Sequence, residues 1–219
     1  MSINRPYKSI DELAEVIPVF PLGGALLLPR GQMPLNIFEP RYIAMIDGAL
    51  KSHRLIGMVQ PSSEEGAQPP LHEIGCVGRI TQIGETGDGR YLMTLAGIAR
   101  FRIVEELSVV TPYRQCRVDY EAFAGDLVDR AGETEVDRDS VIGALRKFAD
   151  MRQLRIDWKE IERAHNEMLV NALSMICPFG IREKQALLEA ADLRTRAEVL
   201  VAITEMETAR AGSPTSTLQ

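Results

Sequence analysis

The period of the hydrophobic pattern changes once along this chain, near Phe123, and that change limits the folds open to it. Before it, apolar residues come in short runs at 16–20, 26–28, 35–38 and 55–59, each bounded by Pro or Gly. Such runs are long enough for buried strands and too short for helices. Pro18, Pro21, Pro29 and Pro34 place the first three runs at sheet edges or strand ends, because proline cannot donate to a ladder. After Phe123 the apolar residues recur at helical spacing. Strands first and helices second predicts an α+β chain with segregated parts.

One helix is inserted among the strands. It starts at Pro40, with proline at the first helical position and Glu39 beside the positive end of the dipole. Tyr42, Ile46, Ala49 and Leu50 form its apolar stripe. Residues 61–70 read as a polar surface loop. Residues 74–83 and 90–95 read as a strand pair joined across a turn, for which the Asp88-Gly89 step is a strong hairpin signal. Gly97 marks a bulge or bend. Beyond it Ala99, Phe101 and Ile103 alternate with Arg100 and Arg102, and a last strand covers 113–120. Short strands with tight turns suggest a small closed or partly closed barrel.

The second half reads as an acidic linker over 124–140, a helix over 141–151, and a longer helix capped by Asp157. The stripe of that helix runs from Trp158 through Ile161, His165, Met168, Leu169 and Leu173 to Ile176, before Pro178 ends it. A short helix over 182–190 and a last one, with Thr195 and Glu198 as a capping box, complete it. The chain thus divides into a β subdomain (1–123), the linker (124–140), a helical subdomain (141–211) and a flexible tail (212–219).

Composition excludes several function classes. The net charge is −6, and aromatic residues make up 5%. Neither half carries the basic excess of a nucleic-acid footprint. The N-terminus lacks an apolar signal core, and no apolar run approaches the ~20 residues of a membrane span, so a cytoplasmic protein is expected. Three widely spaced cysteines, Cys76, Cys116 and Cys177, suit a reducing compartment. No lysine follows a phosphate-cradling glycine loop, which argues against a P-loop ATPase, and no Gly-x-Ser-x-Gly elbow occurs. His72 and Cys76 lack the further ligands a zinc site needs, so no metal and no cofactor is expected.

Four stretches in order carry a family resemblance. They are 18–46 with its Phe38-Glu39-Pro40-Arg41-Tyr42 core, Gly75 to Ile83, Leu95 to Ile103, and a helical stretch from Leu169 through Pro178 to Glu189. Together they resemble the N-terminal, substrate-binding domain of the ATP-dependent protease Lon. The resemblance implies a PUA-like six-stranded β-barrel with an inserted helix, followed by a C-terminal helical bundle. It also implies a binding module without ATPase or peptidase motifs, hence no enzyme. The expected partners are unfolded or damaged polypeptides, or a protein such as a protease or chaperone, in a proteolysis-linked role.

The candidate binding residues are Met33, Leu35, Phe38, Glu39, Arg41 and Tyr42. Apolar loop side chains, methionine among them, suit promiscuous binding, and loops on a rigid scaffold commonly carry it. The same residues have an architectural reading, in which Glu39 supports the helix start and Arg41 pairs with a carboxylate. The alternative function is RNA binding, with Arg79, Arg100 and Arg102 as a basic stripe, on the analogy of PUA-like folds alone. A solvated strand face is the plainer reading of those arginines.

Overall fold

In the computed structural model, which describes residues 4–212 except 64 and 67, six strands join in one mixed sheet. The strands are β1 (Val16–Pro21), β2 (Gln32–Ile37), β3 (Leu55–Val59), β4 (Ile74–Glu85), β5 (Tyr91–Glu106) and β6 (Gln115–Asp119). Helix α1 (Pro40–Leu50) crosses between β2 and β3, with Pro40 at its first turn as expected. The order is β2-β5-β4-β3-β1-β6, and β6 pairs back onto β5. Only β1 and β3 run parallel.

Strand β5 makes this arrangement possible because it serves two neighbours along its length. Its first half pairs with β2 and its second half with β6, while β4 follows it from Tyr91 to Arg102. The bend falls at Gly97, where Gly78 lies opposite Gly97 and Val77 opposite Ala99, so Ile98 is the extra residue of a bulge. Glycine is required there. A Cβ on Gly97 would stand 2.1 Å from the Leu28 carbonyl oxygen, inside any tolerable contact.

Leu26 to Leu28 explain that contact. They were expected as a strand but form no ladder; they cross the bulge as an irregular segment and are essentially fully buried. Apolarity in a short run reports burial, and here burial comes without strand pairing.

Alternation along the strands sorts side chains into two cores. Ile17, Val19, Leu55, Val77, Phe101 and Val118 share one cluster, drawn from β1, β3, β4, β5 and β6. Phe101 reaches into the space that Gly75 leaves; a Cβ on Gly75 would meet its ring at 2.4 Å. The opposite faces, with Phe20, Ile56, Met58 and Ile80, pack into a second cluster together with Tyr42 and Met45 of α1 and residues of the later helices. Strand β3 is buried on both faces, which is why it reads as an unbroken apolar run.

The helical part comprises α2 (Arg138–Arg152), α3 (Trp158–Arg163), α4 (Asn166–Ile176), α5 (Ile181–Glu189) and α6 (Leu193–Gly212). The segment expected as an acidic linker takes in the end of a 3-10 stretch at Glu121–Leu127, a second at Glu133–Glu135, and the first residues of α2. The single helix expected after Asp157 is two helices. The chain leaves helical geometry at Ala164 and His165, and Met168 and Ile176 of the expected stripe are exposed. His165 caps the restarted helix, its Nδ1 accepting the Met168 N–H at 3.3 Å, and Glu133 supports the same start: its carboxylate accepts the Glu167 N–H at 3.0 Å and lies 2.6 Å from His165 Nδ1. The last helix is capped by Asp192, which accepts the Thr195 N–H at 2.7 Å, and not by Thr195. The expected tail beyond Gly212 lies outside the described residues.

Candidate binding edge and cleft

The residues after β2 form a corner. Phe38 stands 62% exposed in the turn, with the Arg90 guanidinium 5.9 Å from its ring centroid. Glu39 occupies the N-cap position of α1 but caps no backbone N–H with its side chain. Its carboxylate takes Arg41 instead, at 2.9 Å from Nε and 2.8 Å from Nη2. Arg41 also lies over the Tyr42 ring, 4.6 Å from its centroid. Tyr42 is buried and its ring tilts against Phe20 at 4.3 Å. Burial pushes the Tyr42 phenol above its usual pKa; Arg41 and Arg114 pull against this, and Glu39 adds to it.

Arg41 and Tyr42 line a cleft of about 370 Å³. Its other walls are Val19 and Pro21 of β1, Pro61, Gln68 and Pro69, and the 106–114 connection between β5 and β6. Arg114 holds two walls together. Its guanidinium pairs with Glu106, at 2.6 Å from Nε to Oε1, and donates to the Pro69 carbonyl at 2.7 Å. At the tip of the connection Val110 is fully exposed and Val109 is 38% exposed.

On the other side of the corner lies a free strand edge. β2 ends the sheet order, and among the described residues no strand pairs beyond it. Gly97 donates its N–H to the Gly31 carbonyl at 2.8 Å, which sets the phase of the ladder. Met33, Leu35 and Ile37 are therefore the residues that exchange hydrogen bonds with Leu95, Met93 and Tyr91. Gln32, Pro34 and Asn36 turn their backbone groups outward, and all three are exposed. Proline sits at an outward position, where its missing N–H breaks no ladder bond. The edge thus offers the N–H groups of Gln32 and Asn36 and three carbonyls. Beside it, Leu92 of β5, opposite Asn36, is 52% exposed.

The six expected binding residues therefore separate. Phe38 and Arg41 are exposed, Glu39 is half-buried, and Tyr42 is the buried wall of the cleft. Met33 and Leu35 are half-buried and point inward against the core shared with the helices. Leu92 and the Val109-Val110 tip were missed. An apolar pair inside a Ser-Val-Val-Thr-Pro turn was the available signal for the tip.

The three arginines considered as a basic stripe are not presented together. Arg79 is buried and donates to the carbonyls of Arg5 at 2.7 Å and Asn4 at 3.0 Å, fastening the N-terminal segment to the sheet. Arg100 is 3% exposed; it pairs with Asp126 at 2.9 Å and donates to the Leu188, Ala190 and Ala191 carbonyls. Arg102 remains at the surface, bonded to Glu73 at 2.7 Å. Alternation put Arg100 and Arg102 on one face, but the 121–127 stretch and the α5–α6 turn cover Arg100.

The cysteines do not resemble activated nucleophiles. All three cysteines are buried free thiols. Burial pushes Cys116 and Cys177 up to about 11 and Cys76 higher still, the opposite of what thiolate chemistry requires. Among the described residues no group of three or more His, Cys, Asp or Glu is placed to hold a metal ion. No helix among them is long and apolar enough to cross a membrane.

Comparison with known proteins matches this architecture. The family model for the ATP-dependent protease La (LON) substrate-binding domain matches residues 16–205. Lon protease 2 of Myxococcus xanthus is 28% identical over 203 residues, covering 87% of this chain and 24% of its own length. Lon protease of Parabacteroides distasonis is 29% identical over 211 residues, covering 91% and 25%. The chain thus spans about a quarter of the length of these relatives. Two solved structures share the fold, each at 19% identity. The N-terminal domain of the Mycobacterium avium complex Lon protease has a TM-score of 0.64 and covers 87% of this chain and 98% of that one. A Lon N-terminal domain protein from Xanthomonas campestris has a TM-score of 0.62, with 85% and 97% covered. With most of its length matched, strands and helices alike, the chain belongs to the Lon substrate-binding domain family.

Proposed function

We propose that this protein is a non-catalytic binding module for polypeptides, taking exposed segments of unfolded or damaged chains in a role linked to proteolysis and protein quality control. The observation that carries the reading is the open edge of β2, with outward backbone donors and acceptors flanked by exposed Phe38 and Leu92. An extended segment added there would gain main-chain hydrogen bonds of any sequence, while the flanking side chains favour apolar clients. The cleft beside Arg41 and Tyr42 would receive side chains beyond the corner. Family membership and the names of the Lon relatives support the link to proteolysis.

The scaffold is read as a PUA-like barrel. Support comes from the return of pairing from β6 to β5 and from the cluster to which five strands contribute. A cytoplasmic location is in keeping with three free buried thiols.

The test is fluorescence anisotropy against a labelled, permanently unfolded polypeptide, with labelled single-stranded RNA in parallel at two salt concentrations. Saturable polypeptide binding with little salt dependence is expected, and Phe38→Glu with Leu92→Glu should weaken it about tenfold or more, the loss of one or two apolar anchors. RNA binding that falls steeply with salt, without polypeptide binding, overturns the reading.

A further inference from the structure

One residue of the β2 edge stands against the rest. Gln32, Pro34 and Asn36 are the outward positions of this strand, and Pro34 lies between the other two. An added antiparallel strand would meet each outward residue through a pair of hydrogen bonds, N–H to C=O and back. Such a pair brings the nitrogen of one strand to about 2.9 Å from the carbonyl oxygen of the other. At Pro34 the pyrrolidine Cδ fills that gap, where a C···O contact needs about 3.3 Å. Pro34 therefore lacks a donor and also holds off any strand laid beside it. Proline at such positions is a general guard of sheet edges.

The two sides of Pro34 differ. On one side Asn36 keeps its N–H and C=O, with exposed Phe38 next to it in the turn and exposed Leu92 across from it on β5. On the other side Gln32 has Gly31 before it and Ala96 across from it, and neither offers a large apolar side chain. Resting on the reading of this edge as a client site, we propose that Pro34 sets its specificity: a short apolar segment pairs at Asn36, against Phe38 and Leu92, and a continuous strand is barred, including β2 of a second copy. For two copies, the antiparallel register that sets Gln32 opposite Asn36 places the two prolines face to face. Every other antiparallel register within β2 that forms adjacent bonded pairs puts a proline in one of them. The edge is thus open to unfolded chains, which offer two or three extended residues, and closed to folded copies of itself.

The test uses the full chain in two measurements: anisotropy with the labelled, permanently unfolded polypeptide, and sedimentation velocity of the protein alone over a concentration series. Pro34→Val restores the N–H and opens the gap, and it removes no ladder bond because the Pro34 nitrogen faces away from β5. It should bind the polypeptide about fivefold more tightly, the effect of one added hydrogen bond. It should also form a larger, concentration-dependent species that the wild type lacks. Thr94→Val is the control: Thr94 lies opposite Pro34 on β5, and valine there adds apolar surface without a backbone donor. Both readouts should stay as in the wild type. When the wild type binds, wild-type affinity or wild-type sedimentation in Pro34→Val overturns the proposal, as do equal gains in Thr94→Val. If the wild type binds no polypeptide, the client reading itself fails. Sedimentation then decides on Pro34 alone: self-association of Pro34→Val upholds its role as a bar to pairing, and none overturns it.

Discussion

Arg100 and Arg102 lie two positions apart on one strand and show how far residue identity underdetermines role. Both are cations on the same side of β5, yet one is sealed and one is solvated. Removing Arg100 would leave the Asp126 carboxylate, 10% exposed, without its cation. Arg100→Met should therefore cost about 3–5 kcal/mol of stability in urea denaturation, the range for breaking a buried pair. Arg102→Ala should cost less than about 1 kcal/mol, as for other exposed pairs. Equal costs would mean that the Asp126 contact contributes nothing. The alternation of Arg100 and Arg102 was legible in the sequence. The burial of Arg100 was not, because the groups that cover it come from Asp126 and from a turn about ninety residues away.

At the scale of elements, the helix starts carry the acid response. Asp137 caps α2, Asp192 caps α6, and Glu133 serves α4. All three pKa values are lowered. Hydrogen bonds from Ser140 and from Thr195 lower the two aspartates. For Glu133, burial acts against the shift and is outweighed by the Glu167 N–H, Arg130 and His165. A depressed folded-state pKa gives stability that is full above the unfolded-state value and is lost as pH falls through the folded value. The thermal midpoint, followed by circular dichroism, should hold above the ordinary carboxylate range near pH 4 and fall below it. Asp192→Asn keeps a capping oxygen without the charge, and should flatten that fall.

The β2 edge is the other element with a clear consequence. The Asn36 N–H points away from β5, so Asn36→Pro breaks no ladder bond and should leave stability within about 1 kcal/mol. It removes one of the two outward donors. Polypeptide affinity, read by anisotropy, should drop several-fold while the fold remains. Unchanged affinity would exclude strand addition at this edge as the binding mode. That β2 is a strand beside a proline-rich loop was legible from Pro34 and the apolar run after it. That it is the terminal strand of the sheet depends on which strands β5 accepts.

For the whole molecule, the two halves share a core. Phe20, Tyr42 and Ile80 of the first 123 residues lie in one cluster with Leu169, Leu187 and Leu200. The polar junction adds Gln60, whose side-chain amide donates to the Gln185 side chain at 3.0 Å, and Lys184, which donates to the Gly24 carbonyl at 2.8 Å. A fragment of residues 1–123 would expose the sheet face that the helices cover. It should lose the dispersed amide spectrum of the full chain, whereas a native-like spectrum would establish the β part as an independent domain.

The sequence alone determined the order of parts: strands to Phe123, one inserted helix opened by Pro40, a bulge at Gly97, and helices after. These follow from local chemistry, since proline, glycine and hydrophobic period act within a few residues of themselves. Tertiary structure alone decided that Leu26 to Leu28 form an irregular buried crossing, that the helix expected from Trp158 restarts at Asn166, and that Arg79 and Arg100 are internal. Each depends on a partner distant in the chain: the Gly97 bulge, the Glu133 carboxylate, and the carbonyls of Arg5 and Leu188. The sequence pattern marks which side chains seek burial or a hydrogen bond. Only the packed chain shows which group answers them.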